Sequence, residues 1–260
     1  MKEKIREFIK GLDVDDVGFA AAAAYQSPRS PRLESLFPGA RSIIVTAYRE
    51  LSTCESPFPQ LAVNGRLDKN AVMRQNNYKI ARFLENSCGA KLVTIPSSYT
   101  SDLQHNTEKG VSDFSLRHAA VAAGLGRFGR NNLVIHPRFG ARVTFNAVIT
   151  NLELESDPPV TEDPCIHCNI CVDNCPARAL DTAGRTDIRK CLQVAQPFGT
   201  NPFLMYLDQF VHAAPEEKAG MLNSYSFLPF YQAVSDGTRE YNCFNCLKLC
   251  PVGQHHESAL

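Results

Sequence analysis

The chain has 260 residues, 44% of them hydrophobic, and its 27 basic residues balance 27 acidic ones. That length suits one large domain or two modest ones with a proper core, and no apolar run approaches the roughly 18 residues that a membrane-spanning helix needs. The opening MKEKIREFIKGLDVDD is charged and has neither a signal-peptide apolar core nor a twin-arginine pair, so the expectation is a cytoplasmic protein.

Residues 2–10 alternate charge with Ile5, Phe8 and Ile9, the pattern of a short amphipathic helix. DDVGFAAAAA reads as a strand, SPRSPRLESLFPGA as a proline-punctuated loop, and RSIIVTAY (41–48) as a strand buried on both faces. Helical spacing over 69–88 precedes a strand in AKLVTIP, a polar loop over 97–110, and an alanine-rich helix in SLRHAAVAAG. NNLVIHPRFGARVTFNAVITNLELE supplies two strands joined by a Pro/Gly turn. Acidic residues and prolines cluster in ESDPPVTEDP, which marks a domain boundary between residues 1–156 and 157–260.

Charge divides near the same place. Residues 1–150 carry 20 Lys/Arg against 13 Asp/Glu, and residues 151–260 carry 7 against 14. Either the basic part attracts an anionic ligand or nucleic acid, or the two parts complement each other.

Ten cysteines in a reducing compartment point to metal before disulfides. CIHCNICVDNCP places Cys165, Cys168, Cys171 and Cys175 ahead of Pro176, the C-x2-C-x2-C-x3-C-P run of bacterial ferredoxins. Structural zinc sites are usually paired C-x2-C units, with no third cysteine in step and no trailing proline. CFNCLKLCP adds Cys243, Cys246 and Cys250 and lacks one ligand, which Cys191 of DIRKCLQ can supply. In ferredoxins the fourth cysteine of each run crosses to the other cluster. The expected sets are therefore Cys165, Cys168, Cys171 and Cys250 for one [4Fe–4S] cluster, and Cys175, Cys191, Cys243 and Cys246 for the second. Cys54 and Cys88 are left as ordinary core or surface thiols. Two such clusters move one electron at a time, so a low-potential donor such as ferredoxin or flavodoxin is implied at one end and an acceptor at the other.

GLGRFG (124–129) has the G-x-G-x-x-G spacing of a dinucleotide site, which needs a strand before it and a helix after it. Here a helix precedes Gly124 and a strand follows Arg130, so Gly124 reads as a helix C-cap with positive φ. The surrounding AAGLGRFGRNNLVIHPRFGARVTFNAVITNLELE resembles the AGLG-to-LELE segment of epoxyqueuosine reductases. DDVGFA, LFPGARSIIVTAY, the RKC of Cys191 and the split second cysteine motif fall in the same order as in that family.

The resemblance implies an α+β fold: a nitroreductase-like, cobalamin-binding domain followed by a ferredoxin-like domain with two [4Fe–4S] clusters. It implies that electrons pass through the clusters to a base-off cobalamin, which reduces an epoxide on a modified tRNA base. Ser112, Arg117, His118, Gly124, Gly126, Arg130 and Asn131 become the candidates for contact with the corrinoid, the glycines either letting the ring approach the backbone or serving only as a helix-to-strand turn. FMN in the nitroreductase-like part, or an electron carrier that reduces a partner protein, are the other readings.

The chain departs from the family's pattern in three places. The family's catalytic acid lies fourteen residues before the first glycine of AGLG, where this chain has Gly110; Asp113 is three positions out of register. Asp113 is either the proton donor or the N-cap of the alanine-rich helix. Longer family members continue into a helical-repeat domain that grips tRNA, whereas this sequence runs ten residues past Cys250. The 51 residues between Cys191 and Cys243 are rich in aromatics and could form a lid, a docking face or ordinary core. No D-x-H-x-x-G cobalt-ligand string occurs. His136 is expected to be structural, and His167 is placed to tune a cluster by hydrogen bonding.

Overall fold

The structure, a computed structural model, describes residues 1–95, 113–223, 227–235 and 241–253. The expected loop at 97–110 and Ser112 lie outside the described residues. The elements run α1 (Lys2–Lys10), β1 (Asp16–Ala21), α2 (Leu33–Leu36), β2 (Ser42–Arg49), α3 (Pro59–Cys88) and β3 (Leu92–Ile95). Next come α4 (Leu116–Ala122), β4 (Arg127–Phe128), β5 (Val134–Ile135) and β6 (Val143–Thr150). Then follow α5 (Ile170–Asp173), α6 (Ile188–Ala195), α7 (Thr200–His212), α8 (Pro215–Asn223), α9 (Phe227–Ser235) and α10 (Asn245–Lys248). No helix among the described residues is long and apolar enough to cross a membrane.

Four strands form an antiparallel sheet in the order β1-β2-β6-β3. Strand β2 explains why its sequence is continuously apolar. Successive side chains point to opposite faces, and both faces are covered. Ile43, Val45 and Ala47 join one core with Phe145, Ala147 and Ile149, whereas Ile44 and Tyr48 join the other with Phe19, Met73, Ile80 and Leu84. Helices α1 and α3 close the second face. On the first, the alanine helix α4 lies against β1, β2 and β6, with Ala119, Ala120 and Ala123 buried. Gly18 of β1 permits this close approach, since a Cβ there would strike the Ala123 carbonyl. Each fully buried Ile, Leu or Phe in these layers contributes roughly 1.5–3 kcal/mol of transfer free energy.

One expectation is corrected, the start of the long helix. Helix α3 begins at Pro59, ten residues before the periodic signal, because Pro59 occupies the first helical turn, where a missing N–H is harmless. The second apparent breaker, Gly65, stays helical and lets the Thr53 side chain pack on the helix. Strand β5 does not pair with β6; it folds back on β4 as a separate ribbon, with Arg127 opposite Ile135. The acidic, proline-rich segment at the expected boundary is no loose linker. Asp157 accepts from Arg6 (2.7 Å) and from the Phe19 N–H (2.9 Å), while Ser156 Oγ accepts from the Ala21 N–H, so the segment is strapped along β1.

These straps favour charge complementarity between the two parts. Lys2 and Arg6 pair with Asp157, and Arg127 and Arg130 donate to the carbonyls of Thr161 and Leu180.

Candidate functional site

The first cysteine run is shaped by residues in the left-handed region. His167 (φ 52°) and Asn169 (φ 59°) turn the chain sharply between Cys165 and the one-turn helix α5, which carries Cys171. Arg178 (φ 49°) repeats the turn after Cys175. Two backbone N–H groups point at sulfur, from Arg130 to Cys165 Sγ and from Ala179 to Cys175 Sγ, each at 3.4 Å. Such donors favour a thiolate and tune a metal bound to it. Cys191 stands on α6, whose N-cap Asp187 accepts from the Lys190 N–H at 3.1 Å. Helix α10 carries Cys246 and packs against α5, so the two short cysteine helices lie side by side.

The cysteines separate into two groups. Cys165, Cys168, Cys171 and Cys250 line one pocket together with Arg130, Asn131 and Ile135. Burial pushes the Cys171 thiol up, and Cys250, Cys165 and Cys168 push it further. Burial likewise raises Cys191, with Cys175 and Cys243 adding to it. Cys246 is pushed up to about 12, first by burial and then by Cys191, Cys243 and Cys175. Thiols in such surroundings keep their protons at neutral pH until a cation takes the place of those protons. The described residues hold no group of three or more Cys, His, Asp or Glu placed for a single metal ion. The first four thiols surround a pocket instead, which is the disposition a multi-iron cluster needs. Cys54 is buried and Cys88 packs beside the α3 core, as ordinary thiols do.

The residues nominated for a corrinoid are placed differently. Gly124 has φ 71° and caps α4, but a Cβ on it would meet the Pro158 carbonyl, and one on Gly126 would meet the Ile135 carbonyl at 2.5 Å. The close approach these glycines allow is therefore made by the chain itself, and GLGRFG is a helix-to-ribbon turn. Arg130 and Asn131 face the cysteines: Asn131 donates to the Cys246 carbonyl at 3.0 Å, and Arg130 to the Leu180 carbonyl at 3.0 Å. Arg117 spends a guanidinium N–H on the Asn132 carbonyl at 2.6 Å, and burial lowers its pKa. Arg117, Arg130 and Asn131 thus each hold a backbone carbonyl of the chain, and Arg130 and Asn131 also line the cysteine pocket.

His118 Nδ1 lies 2.7 Å from Ser115 Oγ with its ring against Phe128; burial, then Arg117, lowers its pKa and favours the neutral ring. Ser115, not Asp113, caps α4, accepting from the His118 N–H, and Asp113 is buried just ahead of it. His136 is structural, 3.2 Å from Asp16 and stacked on Phe139. His167 is exposed and bonded to Asp163 at 2.9 Å. Between Cys191 and Cys243, Phe198, Phe203, Tyr206 and Phe230 pack on one another, while Leu204, Met205 and Val211 are exposed.

Sequence reasoning missed Arg142. This side chain is 5% exposed and gathers the turn around Cys250, as developed below. An isolated arginine at the start of a strand gives no motif to find it by.

Fold and site together define an α+β protein built around a ferredoxin-type set of eight cysteines. No family model matches the chain. It is similar to the epoxyqueuosine reductase of Bacillus cereus (25% identity over 96% of this chain and 64% of that protein) and to that of Bacillus subtilis (24%, 98% and 64%). A crystal structure of an epoxyqueuosine reductase with an epoxyqueuosine-modified tRNA-Tyr stem loop superposes with a TM-score of 0.64 at 21% identity, covering 98% of this chain and 65% of that one. A reductive dehalogenase whose structure suggests a mechanism for B12-dependent dehalogenation superposes with a TM-score of 0.53 at 18% identity, over 73% of this chain and 29% of that one. The chain is thus similar to the epoxyqueuosine reductases and spans just under two thirds of the length of these relatives.

Proposed function

We propose that the chain is an iron–sulfur oxidoreductase of the epoxyqueuosine reductase kind, with two [4Fe–4S] clusters in residues 157–260 serving a reaction site in residues 1–156. The observation that carries this reading is the division of the cysteines into two adjacent groups, with Cys250 beside the first run and Cys175 beside Cys191 and Cys243. That exchange of fourth ligands is the ferredoxin pattern. The donor set is all sulfur, lines a pocket, and receives backbone N–H bonds, which suits a cubane. When bound, the clusters supply one-electron transfer at low potential. The chain's own residues direct backbone donors at the sulfurs, the Arg130 N–H facing Cys165 and the Ala179 N–H facing Cys175.

The electron acceptor belongs to the sheet-and-α4 part. A corrinoid as that acceptor is supported by the fold likeness to the B12-dependent dehalogenase, and when bound it would supply a reducible cobalt. The substrate class is a reducible group on tRNA or on a small molecule; the tRNA arm is supported by the stem-loop complex of the structural relative. Asp113 is the proposed proton donor. The competing cap role falls to Ser115, and Asp113 borders the segment that leads into α4. A low-potential ferredoxin or flavodoxin is the proposed electron source.

Anaerobic protein mixed with hydroxocobalamin and desalted should retain about one corrinoid per chain, with a base-off spectrum, and reduction should reach the cobalt through the clusters. Retention of FMN with loss of corrinoid would move the assignment to a flavin reductase. Retention of neither would leave an electron carrier that reduces a partner protein.

A further inference from the structure

We propose that Arg142, with Glu55 as its counter-ion, is the positioning residue for Cys250 and raises the reduction potential of the cluster that Cys250 serves. This rests on the cluster assignment above and adds a determinant that lies outside both cysteine motifs.

The geometry is specific. Arg142 precedes β6, and its own backbone is anchored, the N–H donating to the Phe139 carbonyl (3.0 Å) and the carbonyl accepting from the Glu50 N–H (2.8 Å). From that base the guanidinium reaches the carbonyls of Lys248 (2.7 Å), Cys250 (2.8 Å) and Val252 (3.4 Å). Three acceptors on one short turn are held by a single planar fork, a task that a lysine point charge cannot perform. Nε pairs with the Glu55 carboxylate. The same turn is keyed in place next door, where Gly140 and Gly253, both with positive φ, leave no room for a Cβ between Phe139 and Val252.

A neutral donor would satisfy a carbonyl; a buried charge does more. Four thiolates give a cluster a net negative charge, and each added electron makes it more negative. A guanidinium held behind Cys250, and shielded from water, stabilises the reduced form more than the oxidised one. Glu55 is about one-third exposed at its side chain and offsets part of that field. On the far side of the pocket the Arg130 backbone N–H, a neutral dipole, faces Cys165. Because Arg142 donates directly to the Cys250 carbonyl, its field falls most strongly on the cluster bound through Cys250.

Reconstituted full-length protein, titrated with dithionite and followed by electron paramagnetic resonance, tests this. Arg142→Gln should move the midpoint of one cluster to more negative potential, leave the other unmoved, and lower iron retention. Arg142→Lys should bring the midpoint back toward the wild-type value while retention stays low, since charge returns without the fork. Glu55→Gln should move the same midpoint in the positive direction. If Arg142→Gln does not fold, Glu55→Gln decides the matter by its sign. Unchanged midpoints in both the Gln variants, or a negative shift in Glu55→Gln, would overturn the proposal. A wild-type chain that takes up no cluster would instead bring down the assignment on which it rests.

Discussion

Replacing Cys191 with alanine should leave one [4Fe–4S] cluster where the unaltered chain holds two. Cys191 lies 16 residues after Cys175 and 52 before Cys243, yet the fold brings it to both. Alanine is the strongest helix former, and Asp187 still caps α6, so the substitution deletes a ligand without unwinding its helix. Iron and acid-labile sulfide should fall to about half, and the resonance of the first cluster should persist. Cys54→Ala, at a buried thiol outside both groups, should retain both clusters. Two intact cubanes in Cys191→Ala would show that another residue completes the second set.

A second large effect is expected at Gly140. Its φ of 57° strains any residue with a Cβ, and that Cβ would also fall on the Val252 carbonyl. The strain contributes about 1–2 kcal/mol and the forced repacking about 1–3 kcal/mol more, so Gly140→Ala should destabilise by roughly 3 kcal/mol. Gly89→Ala is the control. It has nearly the same φ, 62°, with nothing within 4 Å of the added atom, so only the strain remains. Gly124→Ala, against the Pro158 carbonyl, should resemble Gly140→Ala. Thermal unfolding of the three variants side by side gives the ranking, and equal losses at Gly89 and Gly140 would contradict the interlocked turn.

The parts of this molecule written in short range were legible. The continuous apolar run of β2, the helical face of α1 and the glycine stop after α4 each depend on neighbours a few residues away. The nearness of Cys250 to the first cysteine run was suggested for a different reason: cluster geometry imposes a spacing rule in which a fourth cysteine crosses over. What was not legible depended on distant partners. Arg130 and Asn131 have hydrogen-bond partners at Leu180 and Cys246, 50 and 115 residues away, which no local pattern announces. Nothing local announces Arg6 or Phe19 as the partners of Asp157 in the acidic, proline-rich segment. That β5 pairs with β4 was likewise not written locally.

The decisive measurement is metal and sulfide content of the anaerobically purified and reconstituted chain, read with its electron paramagnetic resonance spectrum. Two cubanes require about eight iron and eight sulfide per chain, with a reduced spectrum from two neighbouring centres. About four of each, or tightly held zinc without sulfide, would contradict the division of the eight cysteines into two cluster sites.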